Sequence, residues 1–163
     1  MIAVRARTAA ERAAALAVRH EVFVIEQGVP PELEVDEFDE EADHFLLYDG
    51  RAAVGAARLI LEPPGFAGAE VPHGPVGHLG RLAVLKTARG AGAGARLVGA
   101  VEARAAERGV REMVLAAQTH AVPFYERFGY VAQGDAFDDA GLPHRWMRRE
   151  LSILPSESRT GSF

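Results

Sequence analysis

The sequence predicts an α/β fold, a mixed sheet of six or seven strands with helices on its faces. Three observations predict it. Short apolar runs alternate with longer helical patterns, in the order strand, helix, hairpin, strand, helix, strand, helix, strands. Asp49-Gly50 stands between two apolar runs and is a strong two-residue hairpin turn signal. The glycine-rich stretch 89–94 joins an apolar run directly to a helical pattern, an arrangement that places free backbone N–H groups at a helix start.

Each element has its own signal. Residues 2–6 read as a first strand. Thr8 lies three positions before Glu11, the spacing of a capping box, and opens a helix over residues 9–24. Gly28, Pro30 and Pro31 end that helix and begin an acidic stretch. Residues 44–48 and 52–61 flank the hairpin turn. Residues 62–77 carry Pro63, Pro64, Gly65, Gly68, Pro72, Gly74 and Pro75, a long irregular connection of the kind that is often functional or disordered. Residues 78–85 read as a buried strand. Leu97, Val101 and Ala105 recur four apart on one face of a helix over 91–108, and Gly109 stops it. A strand over 111–117 and a short helix over 122–128 follow. Residues 130–133 and 145–151 read as closing strands around an Asp139-Ala140-Gly141 turn. A single domain over residues 1–151 is expected, with 152–163 as a polar, poorly ordered tail.

Composition excludes several function classes. The 163 residues contain no cysteine, which removes disulfides, thiolate zinc sites and cysteine nucleophiles. The histidines show no metal-ligand spacing, so no metal is expected. Charges interrupt the N-terminal stretch every few residues, unlike a signal peptide. No apolar run nears the roughly 20 residues of a membrane span. A cytoplasmic protein without a membrane partner is expected. A formal net charge of -5 disfavours nucleic acid. Between residues 32 and 43 stand Glu32, Glu34, Asp36, Glu37, Asp39, Glu40, Glu41 and Asp43 with no base among them. Such a run is a solvated loop or an acidic rim that attracts a cationic substrate.

Gly90, Gly92 and Gly94 alternate at the predicted helix start, after Arg89. Glycine permits a sharp turn and close ligand approach. Free N–H groups and the helix dipole favour phosphate oxygens there, and Arg89 adds a cation. A pyrophosphate cradle follows. The Gly-Lys-Ser/Thr ending of a P-loop is missing. Gly90, Gly92 and Ala95 do match the dinucleotide fingerprint G-x-G-x-x-G/A. That fingerprint also needs a ribose-binding acid roughly 20 residues on, and the next strand ends at Gln118 with no acid. Tight helix packing is the plain structural alternative for the same glycines.

The wider stretch LGRLAVLKTARGAGAGARLV resembles the signature of the GCN5-related N-acetyltransferases, R/Q-x-x-G-x-G/A, filled by Arg89, Gly92 and Gly94. VPFYERFGYV resembles that family's second signature. The resemblance is specific over residues 79–131 and spans residues 2–151 in element order. VFVIEQGVPPELEVDEFDEEADH together with GLPHRWM is similar to the ElaA- and YjcF-like bacterial subgroup.

The resemblance implies a mostly antiparallel sheet and acetyl transfer from acetyl-CoA to a primary amine by direct attack in a ternary complex. The acceptor would be a small molecule, cationic where the acidic segment forms its rim, with a peptide or protein amine second. Pantetheine would lie along the backbone of Leu82, Ala83 and Val84, with the Val84 N–H toward the thioester oxygen. The backbone of Arg89, Gly90, Ala91, Gly92, Ala93, Gly94 and Ala95 would hold the pyrophosphate. Phe124 and Phe128 would stand against the donor, and Tyr125 would be the general acid. For the general base the candidates are Glu26, Glu34, Asp36, His44, His78 and His144, with Glu26, His44 and His144 ranked first. Arg81 would contact substrate or pair with the acidic rim. A homodimer is possible in this family. A non-catalytic acyl-CoA sensor and a dinucleotide-binding domain are the alternative functions.

Overall fold

The computed structural model describes residues 1–151. Its strands are β1 (Ile2–Arg5), β2 (Asp43–Asp49), β3 (Ala52–Glu62), β4 (Val76–Val84), β5 (Glu112–Gln118), β6 (Val131–Asp139) and β7 (Leu142–Glu150). The α-helices are α1 (Ala9–Arg19), α2 (Pro31–Glu34), α3 (Ala93–Glu107) and α4 (Val122–Glu126). All the strands form one seven-stranded sheet in the order β1-β2-β3-β4-β5-β7-β6. Only β4 and β5 pair in parallel; the other neighbours are antiparallel. The expected mixed, mostly antiparallel sheet is therefore present.

Both faces of the sheet are covered. Ala57 and Leu59 of β3 pack with Leu97, Val98 and Val101 of α3. Leu46, Ala56 and Ala83 pack with Ala15 and Val18 of α1 on the opposite face. This follows from the period-two alternation of strand side chains.

The Thr8 capping box forms as expected. Its hydroxyl accepts from the Glu11 N–H at 3.1 Å, and the Glu11 carboxylate accepts from the Thr8 N–H at 3.2 Å. The helix then departs from expectation. After Arg19 the chain winds as a π-helix over His20–Glu26, with the Gln27 N–H donating to the Val22 carbonyl at 3.1 Å. The wider turn brings Phe23 and Gln27 to a cavity wall.

The feature that positions the site is a bulge in β4. Arg58 pairs with Gly80, but Ala56 pairs with Ala83, so β4 carries one extra residue. Arg81 takes up the extra length with φ 52. Left-handed backbone costs a non-glycine residue about 1–2 kcal/mol. Its guanidinium offsets this by donating to the Glu34 carbonyl at 3.1 Å and to Asp36 at 3.2 Å. A bulge bends and twists its strand. Accordingly β4 stays paired with β5 only from Val76 to Leu79, while β5 continues alongside β7 to Gln118. Beyond Leu79 the two parallel strands diverge and leave a wedge-shaped gap.

Two stretches are more ordered than their composition suggests. The loop after β3 is pinned by the Glu112 carboxylate, which accepts from the Glu70 and Val71 N–H groups at 2.8 and 2.7 Å. Residues 134–138 were expected outside any strand, yet they belong to β6, which runs to Asp139. Phe137 there pairs with His144 past an irregularity in the β6–β7 register. Among the described residues no helix is long and apolar enough to cross a membrane. The expected tail at 152–163 lies outside the described residues.

Candidate active site

A cavity of about 830 Å³ occupies the gap between β4 and β5 and continues under α2 and the β6–β7 hairpin. One end is made largely of backbone and glycine; the other is made of side chains.

At the backbone end, the Leu85 N–H donates to the Val54 carbonyl at 2.8 Å, and Gly55 faces Val84 in the ladder. Gly55–Val84 is thus a pair whose own N–H and C=O groups point away from each other. The Val84 N–H and C=O face the gap. The neighbouring pair Ala56–Ala83 has the opposite phase, so Ala83 directs its backbone to β3. Its side chain is buried in the α1 core. Leu82 and Val84 line the cavity; Ala83 does not.

The glycine-rich turn follows. Gly90 has φ 88 and Gly92 has φ 75, values that an L side chain rarely adopts. A Cβ on either would meet nothing within 4 Å, so these glycines serve the turn and leave open space beside it. The first α-helical bond of α3 runs from the Arg96 N–H to the Gly92 carbonyl at 3.2 Å. The N–H groups of Ala93, Gly94 and Ala95 have no helical partner, which suits an anion. Gly94 differs from the other two, because its Cβ would lie 2.8 Å from the Phe124 ring. Phe124 covers the first turn of α3, and that cover requires glycine. The residues present therefore fit a pyrophosphate.

At the side-chain end, His78, Arg58 and Glu62 come from β3 and β4, Phe66 from the pinned loop, and Phe137, His144 and Trp146 from the β6–β7 hairpin. Phe66, His78 and Trp146 form a mutually packed triangle with ring centroids 5.3 to 5.7 Å apart. Phe137 stacks on Trp146 at 5.6 Å and on His144 at 6.0 Å. The Nδ1 of His78 lies 3.2 Å from a Glu62 oxygen. Burial lowers the His78 pKa most; the Glu62 carboxylate opposes that, and Arg58 and Arg81 reinforce it. The net shift is downward.

A family model described as an acetyltransferase (GNAT) domain matches residues 6–151. The chain belongs to the GNAT acetyltransferase family. It is 42% identical over 151 residues to the uncharacterized N-acetyltransferase YjcF of Bacillus subtilis, covering 92% of this chain and 100% of that protein. A putative N-acetyltransferase from Lactobacillus plantarum superposes with TM-score 0.76 at 31% identity, over 92% of this chain and 97% of that one. ElaA of Escherichia coli superposes with TM-score 0.71 at 26% identity, over 91% and 97% of the two chains. As a GNAT protein the chain is an acyltransferase. The dinucleotide-binding alternative needed a doubly wound parallel sheet, and this sheet has one parallel pair.

The GNAT fold places the remaining expected site residues unevenly. Tyr125 lines the cavity and is 8% exposed. Its ring is clamped edge-on by Phe124 at 4.9 Å and Tyr130 at 6.1 Å, and burial raises its pKa well above the ordinary phenol value. His144 also lines the cavity, with its Nδ1 2.8 Å from the Leu142 carbonyl. His44 does not reach the cavity. It is buried beneath the acidic segment, with its Nε2 2.7 Å from the Asp39 carbonyl. Glu26 does not reach it either, because both its oxygens accept from Arg89 at 2.6 and 2.8 Å. Arg89 is thereby occupied, and its Nε donates to the Val84 carbonyl at 3.0 Å. It braces the strand against the π-helix instead of standing as a free cation. Ala91, Gly92 and Ala95 lie outside the cavity wall, and Phe128 packs behind Phe124 with centroids 5.0 Å apart.

The acidic segment is not a bare rim. Glu34 and Asp39 hold Arg19, which is 0% exposed, at 2.8 and 2.6 Å. Asp36 and Asp39 hold Arg58 at 2.8 and 3.0 Å, and Asp36 also takes Arg81. Burial opposes ionisation of Asp39, but hydrogen bonds from Arg19, the Asp36 N–H and Arg58 outweigh it and hold its pKa below the usual range. The exposed Glu32, Glu37, Glu40 and Glu41 fit the solvated-loop reading. Among the described residues no group of three or more His, Asp or Glu could hold a metal.

His78 is one of the base candidates in the sequence but stands behind Glu26, His44 and His144, and Glu62, Phe66, Phe137 and Trp146 are not among the candidates. Glu62 carries a usable signal, since it alternates with Arg58 and Ile60 on one face of β3, and Trp146 alternates with His144 on β7; Phe66 on its loop and Phe137 on the extended β6 carry none.

Proposed function

We propose that the chain transfers an acetyl group from acetyl-CoA to the primary amine of a small molecule, by direct attack within one ternary complex. The observation that carries this is the continuity of the cavity. The glycine cradle, the free edge of Val84 and the aromatic chamber open into one another, so a donor and an acceptor can meet without a covalent relay. The absence of cysteine agrees with that.

The donor supplies an activated thioester carbonyl. Gly90 and the N–H groups at the start of α3 hold its pyrophosphate, with Gly92 setting the turn that presents them. A backbone N–H of the diverged end of β4, best placed at Leu82, which also lines the cavity, donates to the carbonyl oxygen as charge develops there. His78 is the general base. With its Nδ1–H given to Glu62, its Nε2 carries the lone pair, and its lowered pKa keeps it neutral near pH 7. Nε2 takes the proton from the acceptor nitrogen as the C–N bond forms and the C–S bond breaks. His144 is the second base candidate, but a backbone carbonyl faces its Nδ1 where His78 has a carboxylate to stabilise the imidazolium. Tyr125 donates a hydrogen bond to the departing sulfur. Its raised pKa favours that role over full proton release.

The test is a matrix of initial rates across acetyl-CoA and amine concentrations, using the best amine from a library scored by CoA release. Intersecting lines are expected. Parallel lines would indicate an acetylated enzyme and exclude direct transfer.

A further inference from the structure

The ion pairs behind the aromatic chamber leave one donor that describes the acceptor. Glu34, Asp36 and Asp39 are matched by Arg19, Arg58 and Arg81, and Glu62 on the cavity wall is taken by His78. The match in number leaves one donor over. The Nη1 of Arg58 serves both Asp36 and Asp39, while its Nε is buried with no hydrogen-bond partner. Arg58 is 4% exposed and lines the cavity. A guanidinium N–H left unpaired in a buried position is costly unless a ligand accepts from it.

The space beside that N–H is open because of a glycine. Gly80 is the ladder partner of Arg58, and its φ does not require glycine. A Cβ there would meet only the Arg58 Nε, at 4.0 Å. Gly80 thus leaves a vacant volume against the unpartnered donor, on the cavity wall. His78 lies two residues away on the same strand face, roughly 7 Å along the strand. An α-amino acid carries its amine and carboxylate on one carbon, and with a hydrogen bond at each end the two groups bridge a separation of this order. Past His78 the wall is aromatic, formed by Phe66 and Trp146.

We propose that the acceptor is an α-amino acid with an apolar or aromatic side chain. Its carboxylate accepts from Arg58 in the space left by Gly80, its amine faces His78, and its side chain lies on Phe66 and Trp146. This rests on the acetyltransferase reading above and narrows its acceptor. Arg81 adds positive charge on the same side, since burial together with Arg58 and Arg19 disfavours its charged form and a bound anion would relieve that.

The experiment is calorimetric titration of the CoA-loaded protein with three acetylated products: N-acetylphenylalanine, N-acetylphenylalaninamide and N-acetylphenethylamine. The carboxylate form is expected to bind about tenfold or more tightly than either neutral form. The G80V variant fills the vacant volume while leaving both members of every ion pair in the chain, and it is expected to erase that preference while still binding CoA. Equal or tighter binding of the neutral forms, no binding of any of the three, or a preference that survives in folded, CoA-binding G80V would overturn the proposal. If G80V does not fold, the wild-type comparison decides alone. Failure of CoA itself to bind would instead overturn the donor reading.

Discussion

The two ends of the cavity are built by different means. The donor end is one short stretch of chain, residues 84–94, whose function rests on backbone N–H groups and on glycines with positive φ. The acceptor end is assembled from β3, β4, α2, the 66–68 turn and the β6–β7 hairpin, and works through side chains. A backbone site suits a ligand that is the same in every relative, while a side-chain site can change with the acceptor. Damage at one end should therefore leave the other readable.

The largest effect is expected at the acceptor end. H78A should lower kcat by about 100-fold or more, as for loss of a general base, with the KM for acetyl-CoA little changed. The pH profile sharpens this. A base must be unprotonated to act, and the His78 pKa lies below its ordinary 6.5. Wild-type activity should therefore persist below pH 6.5 and fall only as the pH drops through the lowered value. H78A should lack that limb, and a limb unchanged in H78A would reassign the base. The next effect is at the donor end. G92V places a left-handed strain of about 1–3 kcal/mol on the N-cap of α3, whose first N–H groups form the cradle. The KM for acetyl-CoA should rise by roughly tenfold or more, and the KM for the amine should not. Y125F, at the junction, should lower kcat by about tenfold. An unchanged rate across pH would make Tyr125 a packing residue. The smallest effect is E26A. Its ion pair with Arg89 is well exposed, at 39% and 41%, and such pairs contribute little. The KM for acetyl-CoA should move less than about threefold; a large rise would show that Arg89 needs Glu26 as a brace.

The same division explains what the sequence disclosed. The hairpin at Asp49-Gly50, the capping box at Thr8 and the cradle at 89–94 are local, since each is a few residues whose backbone preferences act on their own neighbours. The bulge at Arg81 has no such signature. An arginine with φ 52 is held there by the Glu34 carbonyl and Asp36, which are remote in sequence. The run from Glu32 to Asp43 read as a solvated or substrate-facing loop because its partners Arg19, Arg58 and Arg81 are far along the chain. Glu26 shows the same dependence, since its partner Arg89 is 63 residues away. His44 is buried under the acidic segment against the Asp39 carbonyl, and neither His44 nor Glu26 faces the cavity. Residues 134–138 look like loop until Phe137 finds His144 across the ladder.

Separability of the two ends is tested most directly by thermal shift with acetyl-CoA, because a ligand bound to the folded state raises apparent stability. Wild type, H78A and G92V are titrated in parallel. A comparable rise in Tm for wild type and H78A, with a much smaller rise for G92V, is predicted. An undiminished rise in G92V, or none in wild type, would contradict the account.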